Sequence, residues 1–116
     1  MAPKIESYEF GRLVVDGREY RADLIVLPER VVADWWRLEG HGLAPEDLKE
    51  VVAAKVKILV VGTGAYGVMN VAAATADYLA SRGVKVEAYD TAKAVRRYNE
   101  LAAQGERVAA GLHLTC

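Results

Sequence analysis

Three groups of residues in this sequence have types and spacings that could do chemistry. The first is Gly62-Thr63-Gly64-Ala65-Tyr66-Gly67, a literal G-x-G-x-x-G. Between a buried strand and a helix, that spacing cradles a dinucleotide pyrophosphate, and an acid about twenty positions further on holds the ribose. Glu87 stands twenty positions after Gly67. The second group is the terminal run His113-Leu114-Thr115-Cys116, which pairs residue types found in metal sites and in Cys–His nucleophiles. The third is Trp35-Trp36, followed by His41 between Gly40 and Gly42. An exposed tryptophan suits a protein interface, and a histidine in a loop can serve a polar site.

Each group has a plainer reading. Only 29 residues follow Glu87, too few for the second half of a dinucleotide fold, and 57 precede the strand before the loop. "VKVEA" alternates apolar and polar residues, which marks an edge or half-exposed strand rather than a central one. The loop also lacks the Gly-Lys-Ser/Thr ending of a P-loop. What remains is a tight strand-to-helix turn, or an anion site where backbone amides and a helix N-terminus converge. On a strand, His113 and Cys116 face opposite sides, and His41 is the only other histidine, so no metal is expected. Adjacent strand residues also face apart, so one of Trp35 and Trp36 belongs to the core and the other nearer the surface. On the last helix, Arg96 and Glu100 have the spacing of an exposed ion pair.

The elements that must position these residues follow from periodicity and turn chemistry. "SYEFGRLVVDGREYRADLIVL" reads as strands, with Asp16-Gly17 as a two-residue hairpin turn and Pro28 as a stop. Val31 to Arg37 leans toward strand on its valine and tryptophan content. A helix is expected from Pro45 to Ala54, stapled by Leu43 and Leu48. Ile58 to Val61 is a fully apolar strand, as in a parallel sheet. Helix is expected again from Val68 to Ser81, strand from Val84 to Ala88, helix from Thr91 to Gln104 and strand from Val108 to Leu114. In a right-handed strand–helix–strand unit both strands end on one edge, so two helix N-termini should face one crevice there. The fold expected is a three-layer α/β single domain spanning 1–116, a mixed sheet with helices packed on it and an N-terminal hairpin.

The totals bound the rest. The chain has 116 residues, 53% apolar and 27% charged, with 15 basic and 16 acidic side chains and a net charge of −1. Nothing there attracts nucleic acid or an anionic membrane. One cysteine excludes an intrachain disulfide, and the start lacks the features of a signal or transit peptide, so a cytoplasmic protein is expected. Two asparagines, one glutamine and two methionines lean toward a thermophilic source.

"ADLIVLP", a tryptophan with "GHGL", "ILVVGTG", "DTAKAVRRYNEL" and "AAGLHLTC", in that order, resemble the Mth-nine-three-eight-like domain family, whose function is unknown. The resemblance implies a compact three-layer α/β domain without an established activity. It also implies kinship with a mitochondrial complex I assembly factor and an adipogenesis-associated protein of animals. Its shared blocks fall on Asp23, Gly40, His41, Gly62, Thr63, Gly64, Thr91, Ala94, Tyr98, Asn99 and His113 to Cys116. The function expected is non-enzymatic binding of a protein partner in assembly or scaffolding, with Trp35 and Trp36 as interface candidates, no cofactor, and a homodimer as an option. The alternative is a small-molecule or anion-binding module, or a weak enzyme, using Gly62, Thr63, Gly64, Tyr66 and Thr91 with Asn99 or His41 nearby.

Overall fold

Alternating side chains and positive-φ turns build the N-terminal third. In the computed structural model, which describes residues 3–35, 37 and 42–115, β1 (Ile5–Glu9), β2 (Arg12–Val15) and β3 (Arg18–Tyr20) form an antiparallel sheet. Asp16 and Gly17 have φ of 49° and 80°, the conformation that closes a two-residue hairpin without splaying twisted strands. The chain continues through β4 (Leu24–Val26), β5 (Val31–Val32) and β6 (Gly42–Leu43). A 3-10 turn (Pro45–Leu48), α1 (Lys49–Ala53), β7 (Ile58–Thr63) and β8 (Asn70–Val71) follow, then α2 (Ala73–Ser81), β9 (Lys85–Tyr89), α3 (Thr91–Ala103) and β10 (Val108–His113).

Five strands make the central sheet, in the order β5-β4-β10-β7-β9. β10 pairs parallel with β7 and antiparallel with β4, and β7 pairs parallel with β9. The sheet is therefore mixed, and the strands before and after α2 run the same way, as a right-handed crossover requires. β7 and β10 lie inside the sheet and are nearly all apolar; every residue of β10 is buried. β9 is an edge strand, as its polar alternation indicated.

The pleat sorts successive residues into two cores. Val60, Ala110 and Leu112 join Leu13, Val15, Val95, Tyr98 and Leu101, under α3 and the β1–β3 sheet. Leu59, Val61 and Ala109 join Leu48, Val51, Met69 and Leu79, under α1 and α2. α3 earns its place by spacing: Ala94, Val95, Tyr98 and Leu101 form its buried face. The Tyr98 hydroxyl donates to Pro3 O at 2.7 Å, which satisfies the polar end of a fully buried ring.

Three local expectations are corrected. The helix expected from Val68 begins at Ala73, because residues 70–71 pair with residues 42–43 as parallel strands and Met69 N–H donates to Thr63 O. Long-range pairing overrides the alanine-rich helical signal. The Val31–Arg37 strand stops after Val32, because Asp34 turns the chain with φ of 53° and sends Trp35 inward. The last-helix ion pair is Arg97–Glu100 at 3.4 Å rather than Arg96–Glu100.

Candidate functional site

β7 and β10 deliver their last residues to one rim of the central sheet, and the N-terminus of α3 meets them there. Thr91, the first residue of α3, ties the three together. Its Oγ1 donates to His113 O at 2.6 Å and accepts from Gly64 N–H at 2.9 Å, while its own N–H donates to Gly64 O at 3.1 Å. Thr63 Oγ1 donates to Tyr89 O at 2.9 Å.

This close approach explains the glycines. A Cβ on Gly62 would lie 2.8 Å from Leu112 Cδ2, 3.0 Å from Thr91 Oγ1 and 3.3 Å from Thr91 Cα. Gly64 has φ of 107°, which side chains other than glycine's rarely tolerate. The loop's amides also turn inward. Ala65 N–H donates to Thr115 O at 2.6 Å, Gly67 N–H to Gly64 O at 3.2 Å and Met69 N–H to Thr63 O at 2.9 Å. Since α2 starts at Ala73, one helix N-terminus rather than two faces this rim, and the Asp90 carboxylate caps it by accepting from Lys93 N–H at 3.0 Å. Glu87 is held by Arg97 at 2.8 Å and by the Tyr89 hydroxyl at 2.8 Å, contacts that outweigh its burial and keep its carboxyl below the ordinary range.

Of the residues singled out in the sequence, Gly62, Thr63, Gly64 and Thr91 come together. Tyr66 stands on the same loop and is 76% exposed. Asn99 does not join them: two turns along α3, its side chain accepts from Ile5 N–H at 3.1 Å and donates to Ile5 O at 2.7 Å, pinning β1. Trp35 is buried, with its indole N–H on Asp47 O at 2.9 Å and its ring against Gly111, so it belongs to the core. Trp36, Gly40, His41 and Cys116 lie outside the described residues.

The sequence reading missed a buried charge cluster behind the rim. Asp23, just before β4, receives Leu114 N–H on Oδ1 at 2.8 Å, and on Oδ2 it faces His113 Nδ1 at 2.7 Å and Arg37 at 2.8 Å. The Asp23 carboxylate only accepts, so its contact calls for a proton on His113 Nδ1, while the donor-only Arg37 guanidinium lies 3.2 Å from the same nitrogen. Arg37 also stacks over the Trp35 ring at 5.0 Å. A carboxylate that orients an imidazole is half of a general-base arrangement. The His113 ring faces the charged side chains of Asp23 and Arg37. These contacts join the start of β4, the end of β10 and the segment holding Trp35 as a clamp.

Burial would raise the Asp23 carboxyl, but the Leu114 amide, His113 and Arg37 outweigh it and hold the group below its ordinary 3.8. A depressed folded value means that its stabilisation is complete above pH about 4 and fades as pH falls through the lower folded value. Acid unfolding followed by circular dichroism should steepen below pH about 4, and Asp23→Asn should flatten that limb; an unchanged limb would contradict the assignment.

Comparison with known proteins fits this fold. Residues 5–113 match the family described as "Protein of unknown function (DUF498/DUF598)". The chain belongs to the DUF498/DUF598 family. Solved structures resembling this DUF498/DUF598 chain include MT938, at 26% identity and a TM-score of 0.81 over 99% of this chain and 100% of that one. They also include the conserved hypothetical protein PH1505 of Pyrococcus horikoshii, at 27% and 0.81 over 97% and 99%. A protein of Bartonella henselae described as an outer membrane protein matches at 22% and 0.85 over 99% and 97%, a likeness of fold alone. The resemblance read from the sequence blocks and the α/β architecture expected from it are both borne out. Among the described residues, no helix of this DUF498/DUF598 member is long and apolar enough to cross a membrane.

Proposed function

We propose that this chain is a non-enzymatic protein-binding domain, suited to assembly or scaffolding, and that its contact surface is the rim carrying Phe10, Tyr66 and Val68. One observation carries the reading. Among the described residues these are the exposed large hydrophobic side chains, at 59%, 76% and 49% exposure, and the Phe10 and Tyr66 rings lie 6.2 Å apart although 56 positions separate them. Phe10 sits at the β1–β2 turn, whose Gly11 N–H donates to Leu114 O at 2.8 Å. Tyr66 sits on the glycine loop, whose neighbouring Ala65 amide is bound to Thr115 O. Two turns anchored to the same segment just after β10 thus hold their aromatic rings outward, a preorganised pair of the kind that anchors interfaces. An apolar cluster left in water on an otherwise charge-balanced surface suits a partner that covers it.

The anion or small-molecule reading, with Gly62, Thr63, Gly64 and Thr91 as the site, asks several amides to leave partners they already hold. The apolar rim asks nothing of the fold. Phe10→Ser combined with Tyr66→Ser should leave stability within about 0.5 kcal/mol per site of the parent, as surface substitutions do. It should weaken binding of the partner isolated from the native cell by about tenfold or more, read by calorimetric titration. Unchanged affinity would overturn the assignment.

A further inference from the structure

β9 closes one side of the central sheet and has no strand on its outer side among the described residues. Lys85 N–H donates to Lys57 O, so Lys85, Glu87 and Tyr89 turn their backbone groups toward β7. The N–H and C=O groups of Val86 and Ala88 therefore point away from the sheet. Val84, one step earlier, donates its N–H to Leu79 O at 2.9 Å, which leaves its carbonyl on the outer side. An edge of this kind is a template for another strand.

We propose that the outer edge of β9 pairs antiparallel with the same edge of a second copy of this chain, about a two-fold axis at Val86. The charges on β9 select that occupant and that register. With Val86 opposite Val86 of the partner subunit, Lys85 lies opposite Glu87 of the partner subunit, and the symmetric pair repeats the match. Lys85 is largely exposed, and its ammonium already stands 4.0 Å from Glu87 of its own chain, so the carboxylate is within its range of motion. A register centred on Glu87 would instead bring two carboxylates face to face, and parallel stacking would set lysine on lysine. Directly opposed cross-strand charges favour or oppose a register in just this way.

The backbone arithmetic agrees. Val86 exchanges two hydrogen bonds with its symmetry mate, and Ala88 N–H from each copy reaches the Val84 carbonyl of the other, so four bonds form and no outward amide of β9 is left over. Ala88 is exposed and small, which lets a strand approach to the usual spacing of about 4.8 Å. Val86, half-buried against the core under α2, meets its symmetry mate on that face. The pairing is isologous and closed, so it ends at two copies. Phe10, Tyr66 and Val68 lie on the β1–β2 turn and the glycine loop, not on β9, so this inference and the partner reading stand or fall separately.

Sedimentation velocity of the full chain, from micromolar to millimolar concentration, should show a species of about 25 kDa, twice the 12.6 kDa chain. Lys85→Glu should raise the dissociation constant about tenfold or more while leaving the thermal midpoint of the dilute monomer in place. Ala88→Pro, which removes an outward donor without touching the β7 ladder, should do the same. If Ala88→Pro fails to fold, amide exchange of the parent decides: Val86 and Ala88 should slow as concentration rises. A monomer at every concentration, a dimer indifferent to Lys85→Glu, or a dimer whose Val86 and Ala88 amides exchange freely would each overturn the proposal.

Discussion

Asp23→Ala should cost about 3–5 kcal/mol of folding stability, the range seen when one partner of a buried charged pair is removed. Its side chain is 17% exposed, and those of Arg37 and His113 are 6% and 8% exposed. Removing the carboxylate withdraws an acceptor from the Leu114 amide and from both side chains at once, in a largely buried, low-dielectric setting. A domain of this size holds about 5–15 kcal/mol in total, so the loss is a large share of it. Asp23→Asn keeps an acceptor oxygen for Leu114 N–H and should lose less. Urea unfolding of the three proteins checks the order. A loss below about 1 kcal/mol, the level of an exposed pair such as Arg107–Glu29, would mean that the cluster does not clamp the strands.

Gly62→Ala should cost about 1–3 kcal/mol, the usual penalty for forcing atoms into a packed site. The added Cβ would press on Thr91 Cα at 3.3 Å, and backbone at a helix start yields less readily than the Leu112 methyl at 2.8 Å. Any shift of α3 also strains Thr91 Oγ1, which serves Gly64 N–H and His113 O together. A ligand-cradling glycine would behave differently: its substitution would spare the unliganded fold and lower ligand affinity. Thermal unfolding of the ligand-free variant separates the two, and an unchanged midpoint would contradict the packing account.

The parts of the fold legible in the sequence are those where local chemistry and long-range packing agree. Asp16-Gly17 could make little but a primed turn, "ILVVG" had to be buried on both faces, and the polar face of "VKVEA" placed β9 at an edge. The start of α2 was illegible because residues 68–72 follow a partner at residues 42–43 rather than their own propensity. The Asp23–Arg37–His113 cluster was illegible for the same reason. Asp23 and His113 are 90 positions apart and meet only because β4 pairs with β10 in the register Leu24 to Leu112. A faint signal existed: an acid set just before an all-apolar strand, and a histidine closing another. The glycine loop was ambiguous in the sequence, because tight helix–strand contact and phosphate binding both call for glycine. The exposed rings of Phe10 and Tyr66 were invisible as a pair, since nothing local brings a hairpin turn beside a loop 56 positions later.

Photo-crosslinking in the native cell, from a reactive side chain placed at position 66 and, as a control, at the exposed position 93, tests the proposed binding surface most directly. The account predicts a discrete protein adduct from position 66 that is absent from position 93 and is lost when Phe10→Ser is added. The same adducts from both positions, or none from position 66, would contradict it.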